Sequence, residues 1–221
     1  MPESWYTLRK SGKAELEEKK SRFIAQSFFV RNETEVAAIL AAVRREHYNA
    51  RHVGSAYVLY GNPPLEKSSD DGEPAKTAGL PMLDLLRAAS LCNTLVTVTR
   101  YFGGIKLGTG GLVRAYTAAT KGALEQAVIA ELLPAVRLSL TVDYGLYGKV
   151  SRLAEDCAGT VLSLEFLAAV SLRLLFRKSD SARFLASLTE LSGGSLAPES
   201  AESLTCLELD GKLTPIVLKA D

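Results

Sequence analysis

The sequence predicts an α+β protein made of two domains, residues 1–133 and 134–221. Three observations lead to this fold class. The 221 residues are 47% hydrophobic, which is enough apolar material for a packed core. The first domain mixes segments of β-forming residues with segments of helical periodicity. The second domain follows the order β-α-β-β-α-β, which is the split βαβ or ferredoxin-like arrangement.

The first domain begins with strands in "ESWYTLRKSGKAELEEKKSRFIAQSFFV", separated by Gly12 and a charged turn. The next segment, "NETEVAAILAAVRREHYNA", has apolar residues at helical spacing and offers Asn32 or Thr34 as the N-cap. "VGSAYVLYG" predicts a further strand. "NPPLEKSSDDGEPAKTAG" then predicts a long surface loop, because Pro, Ser, Asp and Gly favour turns.

The rest of the first domain alternates helix, strand and helix. We expect a helix from about Leu80 to Leu91, a strand over "NTLVTVTRYF" and, after a glycine-rich loop, a helix from Thr109. Pro134 is expected to end this domain.

The second domain has a different pattern. "RLSLTVDY" predicts a strand with Leu138, Leu140 and Val142 facing inward, and "GKVSRLAEDC" predicts a short helix. "GTVLSLEF" and "AVSLRLLFRK" predict a hairpin with one apolar face. "SDSARFLASLTELSGG" predicts a helix capped by Ser179 or Asp180, and "SLTCLEL" predicts the last strand. The residues expected on the apolar face of the hairpin are Val170, Leu172, Leu174 and Phe176.

Charge and cysteine content narrow the functional classes. With 26 Lys and Arg against 25 Asp and Glu, no global field draws the chain to nucleic acid or membrane, so any such binding must come from local clusters. The three cysteines, Cys92, Cys157 and Cys206, are far apart among apolar residues, which favours reduced thiols in the cytoplasm. We expect no signal peptide, because the N-terminal segment has no apolar core, and no membrane span, because the chain has no apolar run of about 18 residues.

The stretch "TRYFGGIKLGTGGLVRAYTAAT", residues 99–120, indicates an anion site. Glycines allow a ligand close to the main chain, and the helix that follows presents unpaired N–H groups at its start. Charged or hydroxyl side chains that could add bonds to a phosphate are Arg100, Lys106, Thr109, Arg114 and Lys121. The glycines of this site are Gly103, Gly104, Gly108, Gly110 and Gly111. The alternative is that these glycines only permit a tight crossover and close helix packing.

The segment "SSDDGEPAKTAG" is a second candidate. Asp70, Asp71 and Glu73 could bind Mg²⁺ or face the basic residues across a groove, although the same residues also suit a capped turn. His47 and His52 could take part in catalysis, but no sequence context places a nucleophile beside either of them.

These two segments, "SSDDGEPAKTAGLPML" and "NTLVTVTRYFGGIKLGTGGLVRAYTAAT", resemble the IMPACT/YigZ family. The resemblance implies a ribosomal-protein-like βαβ first domain, similar to domain IV of elongation factor G, and a second domain similar to its domain V. It also implies a role in translation, since eukaryotic relatives are protein-binding regulators of the amino-acid-starvation response. We expect His52, Tyr101 and Phe102 to contribute to a pocket beside the signature loops.

Two functional hypotheses follow. The favoured one is a non-catalytic, translation-associated binding module without a cofactor, in which Arg100, Lys106, Arg114 and Lys121 bind RNA, the ribosome or an acidic surface of a translation-related protein. The alternative is a Mg²⁺-dependent enzyme acting on a nucleotide or phosphorylated small molecule through Asp70, Asp71 or Glu73. The sequence offers no evident catalytic base and no nucleotide fingerprint, which favours the binding module.

Overall fold

The computed structural model describes residues 4–209 and 211–218. They fall into two compact units, one of residues 4–131 with 217–218 and one of residues 132–209 with 211–216. Both units combine helices with antiparallel sheets, so the α+β prediction is confirmed. The domain boundaries at residues 133 and 134 stay a prediction.

The first unit is built on a five-stranded antiparallel sheet with three helices. The unit has six strands, of which the first, β1 (Trp5–Lys10), lies outside this sheet. The five strands of the sheet are β2 (Lys13–Glu18), β3 (Ser21–Phe29), β4 (His52–Leu59), β5 (Leu65–Ser69) and β6 (Thr94–Tyr101). Its helices are α1 (Glu33–Glu46), α2 (Gly79–Ala88) and α3 (Thr109–Glu125). The sheet order is β2-β3-β6-β4-β5, which places β6 at the centre.

The two faces of this sheet bury different helices, because side chains alternate along each strand. Tyr57 and Leu95 pack with Val36 of α1 on one face. On the other face Phe23 meets Tyr116 of α3 edge to face, with ring centroids 5.3 Å apart. Gly54 also lies on that face, where an added Cβ would be 3.2 Å from the Tyr116 ring, so glycine allows α3 to pack closely.

The segment predicted as one long loop contains a strand. β5 pairs antiparallel with β4 from Leu59↔Leu65 to Ser55↔Ser69. Its sequence "LEKSS" has few β-forming residues, so the pairing partner rather than local propensity creates the strand. The helix predicted to run to about Leu91 is shorter than expected. This helix, α2, ends at Ala88, and Ser90 adopts a left-handed φ of 51°.

The second unit contains six elements in the predicted order, followed by one further strand. They are β7 (Val128–Val142), α4 (Tyr144–Asp156), β8 (Thr160–Phe166), β9 (Val170–Arg177), α5 (Lys178–Ser192), β10 (Ser200–Leu209) and the additional β11 (Lys212–Pro215). The strand order is β11-β10-β7-β9-β8, and β7 carries residues of both units. The predicted hairpin is present as the antiparallel pair β8 and β9.

The inward-facing residues predicted for β7 and β9 form the core of the second unit. The buried members of this core on the two strands are Leu138, Leu140, Val142, Val170, Leu172, Leu174 and Phe176. Phe176 stacks on Phe184 of α5 with ring centroids 4.6 Å apart. The period-two pattern therefore identified the buried face correctly.

Two local predictions for the second unit were wrong, and Pro134 as the end of the first domain stays a prediction. Pro134 lies inside β7, where it precedes the first residue paired with β9, Ala135, and so removes no hydrogen bond to that strand. α4 begins at Tyr144, four residues before the predicted segment. α5 begins at Lys178, so Ser179 and Asp180 lie in its first turn and do not cap it.

The three cysteines are buried and form no disulfide. Burial raises the pKa of the Cys92 thiol to about 12 and that of Cys206 to about 11. Neither thiol is ionised near neutral pH, so neither has the properties of a nucleophile. Among the described residues, no helix combines the length and the apolar character needed to span a bilayer.

Candidate functional site

A cleft of about 450 Å³ lies at the start of α3 in the first unit. It is bounded by the ends of β4 and β6, by the acidic loop and by the glycine-rich loop. Its polar lining residues are Arg51, His52, Glu73, Arg100, Lys106, Gly108 and Thr109, and its apolar ones are Pro74, Phe102, Leu107 and Leu112. The antiparallel register pairs His52 directly with Arg100, which brings the two strand ends to one place.

Arg100 and Glu73 form a buried ion pair in the wall of this cleft. Arg100 Nη1 lies 2.7 Å from Glu73 Oε1, and the Tyr116 hydroxyl donates to the same oxygen at 2.9 Å. Burial raises the pKa of the Tyr116 hydroxyl far above its usual range, and the Glu73 carboxylate adds to this. Glu73 neutralises the charge of Arg100, so Arg100 is not the freely available anion ligand that the sequence predicted.

The three carboxylates of the acidic loop bind three different sets of partners. Asp70 accepts hydrogen bonds from the backbone N–H groups of Lys76, Ala78 and Gly79 at 2.8, 2.9 and 2.9 Å, and so fixes the start of α2. Burial opposes ionisation of Asp70, but these backbone donors prevail and lower its pKa.

Asp71 connects α1, β4 and its own loop. Its carboxylate accepts from Arg44 and, at 2.6 Å, from the backbone N–H of Val53. Burial opposes ionisation, yet the bonds from Arg44 and Val53 lower the pKa of Asp71. The acidic loop is therefore a structural turn, and within residues 4–209 and 211–218 no group of three His, Cys, Asp or Glu side chains is placed to hold a metal. Each of the three carboxylates is engaged by protein donors, and Mg²⁺ binding by Asp70, Asp71 and Glu73 stays a prediction.

His52 is oriented by the same loop. Its Nδ1 lies 2.8 Å from the carbonyl oxygen of Asp71, and since a carbonyl can only accept, Nδ1 carries the proton and donates. This hydrogen bond fixes the orientation of the His52 ring, which lines the cleft.

The glycines of the loop divide between the two alternatives left open by the sequence. An added Cβ at Gly103 would overlap the carbonyl oxygen of Lys20, so Gly103 is needed for close packing of the loop on β3. Gly108 has a φ of 74° and occupies the N-cap position of α3, one residue earlier than Thr109. No side chain caps this helix start, and Thr109 and Gly110 are exposed there. Gly108 and Thr109 line the cleft, so the helix start, with its unpaired N–H groups and the positive end of the helix dipole, lies at the edge of the cleft.

Two cations at the cleft are available for a ligand. Lys106 was predicted from the sequence, whereas Arg51 was not. Within the part of the chain that the structure describes, neither side chain forms an ion pair, and both are exposed. The only sequence signal for Arg51 is its position next to His52, and its relevance depends on the β4–β6 register.

Three predicted site residues do not line this cleft. Arg114 lines a second cleft with Leu16 and Lys19, although its Nη1 stays near the helix start, 3.7 Å from where a Cβ on Gly110 would lie. Lys121 is twelve residues after Thr109, about 18 Å along the helix axis, and its Nζ lies 3.7 Å from Glu125. Tyr101 is on the sheet face covered by α1, where its hydroxyl lies 2.8 Å from His47 Nδ1. Apart from the ion pair of Arg100 and Glu73, the predicted residues that line the cleft are His52, Phe102, Lys106, Gly108 and Thr109, and the structure adds Arg51.

Fold and site together define an α+β protein of two units with a basic cleft at an uncapped helix start. Sequence comparison matches residues 19–124 to the Impact N-terminal domain and residues 140–195 to a domain of unknown function, DUF1949. IMPACT family member YvyE of Bacillus subtilis (strain 168) is 34% identical over 94% of this chain and 95% of its own. IMPACT family member YigZ of Escherichia coli (strain K12) is 38% identical over 80% of this chain and 88% of its own.

The chain belongs to the IMPACT family. A solved structure described as that of a hypothetical protein has the same fold, with a TM-score of 0.57 and 35% identity over 90% of this chain and 97% of that chain.

Proposed function

We propose that this IMPACT family member is a translation-associated regulatory protein that binds RNA phosphates at the start of α3. The observation that carries the proposal is the uncapped N-terminus of α3 beside Arg51 and Lys106. The translation context comes from the family resemblance, and the ligand class comes from the cleft.

The chemistry of the cleft suits a phosphate. Backbone N–H groups of the first turn of α3, beginning with Thr109 at the cleft, can donate to phosphate oxygens, because a helix start leaves its first N–H groups without intrahelical acceptors. Lys106 and Arg51 supply charge, and the Thr109 hydroxyl can donate a further bond. Since the net charge of the chain is only +1, this local cluster has to provide the attraction.

The finer fold assignments belong to the same proposal. We propose that the second unit is a ferredoxin-like domain similar to domain V of elongation factor G, which the strand order β10-β7-β9-β8 supports. We assign the first unit to the ribosomal-protein-like class similar to domain IV. With the buried, unpaired cysteines these assignments support a cytoplasmic protein that meets ribosomes or structured RNA.

The test is RNA and ribosome binding at salt concentrations between about 50 and 200 mM. We expect the wild type to bind. In the Arg51→Ala/Lys106→Ala variant the plot of log K against log salt should become shallower, with the magnitude of its negative slope reduced by about 2. Lys121→Ala is the matched control: it removes a cation from the same helix about 18 Å away and should leave binding unchanged. Equal binding by the double variant and wild type contradicts the proposal, and binding to polyglutamate without RNA binding would indicate an acidic protein partner instead.

A further inference from the structure

Phe102 is an exposed aromatic side chain in a basic cleft. The ring lines the cleft and is 48% exposed. The Arg100 guanidinium lies over it, with Cζ 5.6 Å from the ring centroid, and over the buried Phe23 ring at 5.5 Å. One part of the Phe102 ring is therefore supported by protein, while the rest offers an apolar surface beside Lys106 and Thr109.

Arg100 provides an independent indication of a ligand. The residue is only 6% exposed and lines the same cleft. Its Nη1 is held by Glu73, but its buried Nε has no hydrogen-bond acceptor within the described residues. A buried donor without an acceptor is unfavourable, and because Arg100 lines this cleft, a molecule bound there is one source of the acceptor that the described residues do not supply.

We propose that the cleft holds one unpaired nucleotide of an RNA chain, with its base stacked on Phe102 and its phosphate at the start of α3. This inference rests on the proposed function and specifies its ligand. A volume of about 450 Å³ is within the range of small-molecule sites and suits a single nucleotide unit. The flat ring of Phe102 and the cations Arg51 and Lys106 match the two chemically different ends of a nucleotide.

Stacking determines which RNA is bound. In a duplex both faces of a base are covered by its neighbours, so only a base in a loop, a bulge or an end is free to lie on an aromatic ring. Stacking tolerates every base because each has a π face. The protein should therefore prefer unpaired RNA over duplex RNA, with little preference for sequence.

The experiment compares four ligands: a short single-stranded RNA, the same strand with abasic positions, its duplex, and the free nucleotide AMP. We expect Phe102→Ala and Phe102→Leu to weaken binding of the single strand about 5- to 100-fold, and Phe102→Tyr to keep it within a few fold. The abasic strand should bind all Phe102 variants alike, because it retains phosphates and lacks bases. Single-stranded RNA should bind more tightly than the duplex, and saturable AMP binding of similar affinity would identify a free nucleotide as the ligand instead.

The variants distinguish failure of the stacking inference from failure of the proposed function. If Arg51→Ala/Lys106→Ala weakens RNA binding but Phe102→Ala does not, the stacking inference fails and the proposed function stands. If the Phe102→Ala loss is equal for normal and abasic strands, the inference also fails. If neither set of variants affects RNA binding, the proposed function itself fails. Thermal melting of each variant shows that it is folded, and Phe102→Leu keeps an apolar side chain for this purpose.

Discussion

Glu73 and Arg100 form an ion pair inside the wall of the cleft, with Arg100 Nη1 2.7 Å from Glu73 Oε1 and 3.0 Å from Oε2. Both side chains are almost completely shielded from solvent. A buried charge whose partner is removed keeps its desolvation cost without the compensating attraction. The pair is therefore a structural requirement at the position where the glycine-rich loop leaves β6.

The first prediction concerns this pair. Glu73→Ala should lower the free energy of unfolding by about 3–5 kcal/mol, because Arg100 and the Tyr116 hydroxyl would lose their buried acceptor. Urea denaturation measures the change. Glu66→Ala, which removes the partner of the half-exposed Arg87, should cost much less. Equal losses in the two variants would show that the cleft wall is hydrated and that Glu73 is not essential to it.

The second prediction distinguishes two kinds of glycine. Gly103→Ala should destabilise the protein by about 1–3 kcal/mol or more, because the new Cβ would overlap the backbone carbonyl of Lys20. Gly104→Ala meets no neighbouring atom, so its cost comes only from the positive φ of 88° and should be about 1 kcal/mol. Gly145→Ala in α4 also meets nothing and should stabilise the helix. Unfolding midpoints that rank the three variants in another order would contradict this assignment.

The third prediction concerns acid stability. The pKa of Asp70 is lower in the folded protein than in the unfolded chain, since backbone donors outweigh the opposing effect of burial. Its contribution to stability is therefore present above the unfolded value, about 3.9, and is lost as the pH falls through the folded value. Asp70→Asn should lower stability at pH 7 and reduce its decline below about pH 4.

Urea midpoints measured from neutral to acidic pH test this prediction. Glu125→Gln is the control variant for Asp70→Asn, because it removes one carboxylate from the solvated face of a helix. If Asp70→Asn and wild type lose stability in parallel as the pH falls, the capping of α2 by Asp70 does not control acid unfolding.

Much of the fold could be predicted because the patterns were local. Leu138, Leu140 and Val142 alternate with polar residues in a strand. Asn32 precedes a helical stretch, and its side-chain oxygen accepts a hydrogen bond from the backbone N–H of Glu35 at 2.8 Å. β5 could not be predicted, since only its pairing with β4 makes "LEKSS" a strand. Local sequence carries propensity, whereas pairing depends on residues far away in the chain.

The candidate site was predictable only in part for the same reason. Lys106, Thr109 and Phe102 belong to one contiguous stretch and do lie at one cleft. Arg100 lies in the same stretch, yet its charge is neutralised by Glu73, 27 residues away. Arg51 was missed because only the β4–β6 register brings the start of β4 beside Arg100. Sequence proximity on α3 was misleading for Lys121, which the helical rise carries away from the cleft.

The fourth prediction concerns the thiols. Cys92, Cys157 and Cys206 are buried, and burial raises the pKa of Cys92 to about 12. Because the thiolate is the reactive form, we expect the native protein to resist a thiol-specific reagent and the unfolded protein to react at all three cysteines. Fast reaction of one thiol in the native protein would show local opening around that cysteine.

The fifth prediction separates stability from binding at the start of α3. Thr109→Asp places a negative charge in the first turn, where the helix dipole favours it, and should stabilise the protein by about 0.3–1 kcal/mol. The same charge occupies the position proposed for a phosphate, so RNA affinity should fall. Thr109→Asn has nearly the same size without the charge and should change both quantities less.

Thermal or urea unfolding and RNA titration of these two variants provide the test. A gain in stability with a loss of affinity, seen in Thr109→Asp and not in Thr109→Asn, would place the anion at the helix start. If affinity is unchanged in Thr109→Asp while stability rises, the helix dipole is open to charge but RNA binds elsewhere. Because stability and affinity are expected to move in opposite directions, a general loss of folding cannot produce the predicted result.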